Sequence, residues 1–144
     1  MPYATLDDLL QVEPTITDYG VLDWDSELAR SELEVNRIIQ VRWFQAYANV
    51  KGIKDAFDPD LLTATQWTQA TVYHALAFHI CPKLSKFEAQ GNEDKFQVMM
   101  NYYQGRFEHE MDLCLRLGVD YDLDNNGTIG TGETVSKGSL RLVR

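Results

Sequence analysis

At 144 residues the chain is one domain by length and can bury about two-thirds of the surface its unfolded form exposes. Hydrophobic residues make up 44% and charged residues 24%, the balance of a folded soluble protein and not of a disordered one. The formal charge of −9 excludes non-specific wrapping of nucleic acid or of an anionic membrane, because both need clustered Lys and Arg.

The charge is uneven. Residues 1–30 carry seven acids against Arg30 alone, and residues 101–133 carry seven acids against Arg106 and Arg116. The final stretch reverses the sign, with Lys137, Arg141 and Arg144 and no acid, which predicts a basic arm over residues 134–144 for an acidic neighbour or a second copy of the chain. The residues expected to carry that contact are Lys137, Leu140, Arg141, Leu142, Val143 and Arg144. Cys81 and Cys114 lie within helical stripes and lack Cys-x-x-Cys spacing, so they read as small buried hydrophobes of a reducing compartment. No run approaches the roughly 18 apolar residues of a membrane span. The start Met1-Pro2-Tyr3-Ala4 lacks a basic, apolar signal, so use without secretion is expected.

In chain order, Thr5 with Asp8 three residues later predicts a cap on a short helix carrying Leu6, Leu9 and Leu10, and Pro14 ends it. Residues 14–23 read as a loop. A second helix is expected from Asp25 or Ser26 to about Ala48, with Leu28, Val35 and Ile39 on one side and Arg30, Glu34 and Arg37 spaced for pairs on the wet face. Its end is apolar on several sides. Trp43, Phe44 and Tyr47 are therefore expected either in the core or in an inter-subunit contact.

Gly52, Asp58 and Pro59 break the pattern, and Thr63 or Thr65 should cap a third helix that carries Trp67, Ala70, Thr71, His74, Ala75 and Phe78 until Pro82 ends or kinks it. The spine is a fourth helix from Asn92 to Leu117, where Phe96, Met99, Met100, Tyr103, Phe107, Met111, Cys114 and Leu115 recur at three- and four-residue steps. Gly118 should stop it. No segment has a strand period long enough for a sheet, although Leu140–Val143 could pair as an edge. The fold class expected is mainly α: a small bundle of three long helices and one short N-terminal helix, with an extended C-terminal tail. The domain spans residues 1–133.

After Gly118 comes the sharpest motif. Residues 122–133 match the Asp-x-Asp-x-Asn-Gly calcium-loop pattern with a final Glu in full register. It offers carboxylates from Asp122, Asp124 and Glu133, an amide oxygen from Asn126 and a backbone carbonyl at Thr128, the oxygen set a hard divalent cation requires. Ile129 stands where such loops place an apolar anchor. A poor helix former follows the loop and no second copy exists, so either calcium staples it, or Asp, Asn and Gly form a tight self-bonded turn. The histidines suggest no zinc site: His74 and His79, five apart, should point to different sides of a helix, and His109 lies between Glu108 and Glu110 on a wet face. No nucleophile and base are spaced for catalysis, and no cofactor is required.

The segment Leu62-Thr63-Ala64-Thr65-Gln66-Trp67-Thr68-Gln69-Ala70-Thr71-Val72-Tyr73-His74-Ala75-Leu76-Ala77, then Pro82, then Tyr102-Tyr103 through Phe107 and Glu110 to Gly118-Val119-Asp120-Tyr121-Asp122, resembles head–tail connector (adaptor) proteins of tailed bacteriophages. The likeness covers roughly residues 60–130, with an echo in Tyr3-Ala4-Thr5-Leu6-Asp7-Asp8-Leu9. It implies a virion neck protein without enzymatic activity that forms a ring, usually twelve-membered, beneath the portal protein. Such a ring extends the DNA channel, lets DNA pass without sequence-specific binding, and docks the next neck or tail protein. The family's C-terminal extension commonly reaches a neighbouring copy or the portal. Its alternative from the residues alone is a calcium-dependent protein-binding module built on residues 122–133.

Overall fold

Thr5 opens the first helix in the computed structural model, which describes residues 2–85, 95–130 and 132–136. Its side chain accepts from the Asp8 N–H while its own N–H donates to Asp8 Oδ2 at 2.9 Å, the reciprocal capping box the spacing predicts, and α1 runs Leu6–Val12. The expected loop that follows contains a 3-10 turn, Ile16–Tyr19, because Ile16 is buried and its carbonyl accepts from Trp24 Nε1.

Helix α2 begins at Asp25 and runs α-helically to Ile39, passes through a π-turn at Gln40–Phe44, and continues as Gln45–Lys51. Leu28, Ser31, Val35 and Ile39 form its buried side. The π-turn puts one extra residue into the helix, so the buried stripe moves on to Trp43, Phe44 and Tyr47. Gly52 ends the helix in the left-handed region, at φ 69°. Leu33, on the same helix, is exposed.

Helix α3 is likewise composite. A 3-10 turn at Ala64–Trp67 leads into Thr68–Ala75, a π-turn at Leu76–Ile80, and a last turn at Cys81–Leu84. Thr63 stands at the N-cap of that turn, as one of the two expected positions, but makes no side-chain cap bond; Thr68 begins the regular helix, and its hydroxyl donates to the Tyr3 carbonyl at 2.6 Å. Pro82 sits inside this helix without ending it. Proline supplies no N–H to the helical ladder, and the π-turn just before it is a register change that such a break commonly accompanies. Ala70, Ala75 and Ala77 are fully buried, consistent with close helix approach. Helix α4, Lys95–Leu117, packs Tyr103, Phe107, Met111, Cys114 and Leu115 inward as its stripe predicts. Asn92 to Asp94, expected at its start, lie outside the described residues.

Gly118 stops α4 at φ 114°. Beyond it the chain departs from the expectation of no sheet: β1 (Val119–Asp120) pairs antiparallel with β2 (Thr134–Val135), Val119 facing Val135 and Asp120 facing Thr134. The pair is too short for strand periodicity to show. Gln66 binds it to the body, its Nε2 donating to the Gly118 carbonyl at 2.6 Å and its Oε1 accepting from the Asp120 N–H at 3.1 Å. Thr134 and Val135, the first two residues of the expected arm, thus pair with β1. Among the described residues, the architecture is mainly helical, with this two-stranded sheet at one end.

Among the described residues the core has two apolar clusters. One gathers Trp43, Phe44, Tyr47, Phe107, Met111 and Tyr121 near the strands; the other gathers Leu9, Ile16, Trp24, Leu28, Leu76 and Ile80 near the N-terminus. Between Leu28 of one and Val35 of the other lies buried Ser31, and between Ala70 and Ala75 lie buried Thr71 and His74. These buried polar side chains sit where the two clusters meet, and Tyr73 packs against both.

Candidate functional site

The acidic loop is closed by the strands at its two ends. Tyr121 N–H donates to the Glu133 carbonyl at 2.9 Å, and Asp122 N–H donates to the Leu61 carbonyl at 2.9 Å, so Glu133 is fixed to the residue before the loop and Asp122 to the body. One oxygen each of Asp122, Asp124 and Glu133 lies within 4.8 Å of the others, as the motif predicts. Asn125 and Gly127 take left-handed backbone conformations, φ 54° and 85°, which turn the chain back on itself.

The carboxylates are also occupied by the loop's own backbone. Asp122 Oδ2 accepts from Gly127 N–H at 2.8 Å, and Glu133 Oε1 accepts from Gly130 N–H at 2.7 Å. Asn126 Oδ1 accepts from the Thr128 N–H at 2.9 Å and the Thr128 hydroxyl at 3.1 Å. Desolvation, then a hydrogen bond with Asp122 and the charge of Glu133, raise the Asp124 carboxyl above its ordinary range. The loop can hold itself together, and a cation would relieve its remaining repulsion. Ile129, expected as an apolar anchor, is exposed and anchors no core.

A second cluster arises where the sequence predicts none. His74 Nε2 lies 3.1 Å from Glu34 Oε2, and His79 Nε2 lies 3.3 Å from Glu34 Oε1. In a regular α-helix, at about 100° per residue, a five-residue step separates two side chains by about 140° around the axis. The π-turn at Leu76–Ile80 accommodates the extra residue, and the two imidazoles come to a centroid separation of 5.7 Å. The expectation that they diverge is therefore corrected by a local change of helical register. Glu34 likewise leaves its expected role among Arg30 and Arg37 to face both histidines. Burial pushes the His74 imidazole down to about 4, against the opposing pull of the Glu34 carboxylate. The signal for this cluster was Pro82 within a helical stripe, which marks a break in register three residues after His79.

Trp43, Phe44 and Tyr47 are 0%, 6% and 1% exposed. They stack within the chain's own core, Trp43 on Tyr47 at 4.3 Å and both against Tyr121 at 5.7 Å, so the core reading replaces the inter-subunit one. Trp43 Nε1 also donates to the Val135 carbonyl at 2.9 Å, tying α2 to β2. What α4 exposes instead is a second apolar edge: Val98, Tyr102, Leu113 and Leu117 fall at helical steps on its outer side. The arm residues Lys137, Leu140, Arg141, Leu142, Val143 and Arg144 lie outside the described residues.

Cys81 and Cys114 are both buried thiols with no disulfide between them. Burial, with the Glu110 carboxylate adding, pushes the Cys114 thiol up to about 12, far from the thiolate a nucleophile needs. His109 is exposed, as its acidic neighbours suggest. Among the described residues no helix is long and apolar enough to cross a membrane. Compared with protein-family models, with curated proteins and with solved structures, the chain matches none.

Proposed function

We propose that the chain is a structural head–tail connector of a tailed bacteriophage virion, assembling as a ring under the portal, extending the DNA channel and docking the next neck or tail protein. The observation that carries this reading is the resemblance in residues 62–77 and 102–122, whose two segments fold against each other. Tyr73 and Tyr103 stack at 5.9 Å, and a bridge between Leu62 and Tyr121 closes the unit at its far end. A likeness spread over a coherent packing unit is better support than the same residues scattered over a surface.

Two further features suit it. The outer edge of α4 presents Tyr102 at 59% and Leu117 at 79% exposure, apolar surface of the kind subunit sides bury in a ring. The acidic charge, at −9, disfavours attractive phosphate contacts that would hold DNA in a channel. The basic arm is the part assigned to a neighbour or the portal. Since Thr134 and Val135 belong to the folded body, the arm begins after Ser136. Co-purification with a cognate portal protein tests the reading: full-length protein binds, and removal of residues 137–144 weakens the complex while the helices stay folded. A portal that retains neither form contradicts the connector, and equal retention of both contradicts the arm.

A second reading has its own support in the three gathered carboxylates. In it the 122–133 loop takes calcium and serves as a binding module. Calorimetry with calcium on the protein and on Asp122→Ala decides it, and an absence of heat at millimolar calcium ends it.

A further inference from the structure

We propose that Glu34, His74 and His79 form a binding site for a borderline divalent transition metal, best matched by zinc(II), that pins α2 to α3 and leaves one coordination position facing solvent. This goes beyond the connector reading and stands without it.

The first ground is geometry. A tetrahedral zinc ion with bonds of about 2.0–2.1 Å has its ligand atoms about 3.3–3.4 Å apart. His74 Nε2 lies 3.1 Å from Glu34 Oε2 and His79 Nε2 lies 3.3 Å from Glu34 Oε1, each close to that length though to different oxygens. One ligand atom from each residue lies within 4.8 Å of the others, so a turn of the carboxylate that offers one oxygen to both nitrogens completes three corners of the tetrahedron. The second ground is His79. Its side chain is 10% exposed, and its Nε2 makes no hydrogen bond even though Glu34 Oε1 is 3.3 Å away. A metal-free hydrogen-bonded triad would leave this buried ring nitrogen unsatisfied, a cost that coordination removes.

The surroundings fit a ligand set. Ser31, fully buried, places its Oγ 3.0 Å from His74 Nδ1, the kind of contact to the second ring nitrogen that fixes a ligating imidazole's tautomer and orientation. Phe107 and Phe78 pack on the His74 ring at 4.9 and 4.7 Å and restrict its rotation. Entry comes from the other side: the Glu34 side chain is 39% exposed and Phe78 44% exposed, so water or a metal ion reaches the carboxylate directly. Two imidazoles and one carboxylate suit zinc, whereas calcium and magnesium demand an all-oxygen shell. The proximity requires the π-turn, which places ligands from five residues apart on one side of α3.

The test is zinc titration of the full chain, stripped with a chelator, in competition with a chromogenic zinc indicator. One equivalent binds at micromolar zinc or below and raises the melting temperature. Glu34→Gln and His79→Gln, with helix content verified by circular dichroism, each lose more than a hundredfold in affinity, and Ser31→Ala loses about tenfold. Asp124→Asn binds as the parent does. The proposal is overturned if the folded parent takes up no zinc at micromolar concentration, if binding survives in both ligand variants, or if Asp124→Asn abolishes it, which would put the ion in the acidic loop.

Discussion

The acidic loop and the histidine cluster each bring three ligand-type side chains within 4.8 Å, yet they are built in opposite ways. The loop draws its ligands from twelve consecutive residues and satisfies them with its own N–H groups, such as Gly127 to Asp122 and Gly130 to Glu133. The cluster draws one ligand from α2 and two from α3, and holds them by burial, by aromatic packing and by a π-turn. Loss of core packing should therefore dismantle the cluster and spare the loop's local bonds, whereas a change at the strands should do the reverse.

The largest separation is expected from Phe107→Ala. This ring is 2% exposed and meets His74 edge-on, so truncation should cost about 3–5 kcal/mol and free the His74 imidazole to rotate. Denaturant unfolding gives the first quantity, and NMR of the histidine rings and loop amides gives the second. If loop amides shift as much as the histidines, the two regions are not independent.

Acid offers the next contrast. In the metal-free protein His74 protonates near 4, against 6.5 when unfolded, because burial outweighs the attraction of Glu34 on α2 and His79 adds repulsion from its own helix. Between those values the unfolded state binds the proton and the native state does not. Stability is thus full above pH 6.5 and falls as pH drops toward 4, by at most about 3 kcal/mol. The loop responds with the opposite sign, since the raised Asp124 carboxyl takes up its proton earlier on the way down and repulsion eases. Unfolding curves across this range should flatten in His74→Gln; an unchanged slope would remove His74 as the cause.

Gly118→Ala strikes the loop side. An added Cβ would stand 2.7 Å from Thr134 Cγ2, at a φ of 114° that side chains avoid, so a cost of about 1–3 kcal/mol is expected. Hydrogen exchange should quicken at Tyr121 and Val135 before it quickens in α2. The smallest effect belongs to Asp124→Asn, which removes the charge of the one exposed member of the carboxylate cluster and should leave or slightly raise the melting temperature while weakening any calcium response. A marked loss of stability would mean that the charge, and not the backbone turn, holds the loop.

How much of this was legible in the residues follows the same division. The Thr5 and Asp8 capping box, the stop at Gly118 and the inward stripe of α4 depend on neighbours within a turn, and the structure reproduces them. So does the gathering of Asp122, Asp124 and Glu133, because one contiguous motif encodes it. The strand pair escaped notice because two residues on each side carry no period and exist only once the loop has closed. Trp43 could be placed only when Tyr121, far along the chain, supplied its partner. The histidine cluster needed Glu34 from another helix and a register change that five-residue spacing alone reads backwards.

The connector proposal holds that the helical body works by assembly. Electron microscopy of the purified chain mixed with a cognate portal protein tests this most directly. A closed ring of copies seated on the portal is the predicted result. Bare portal particles alongside a folded, monomeric chain would contradict it.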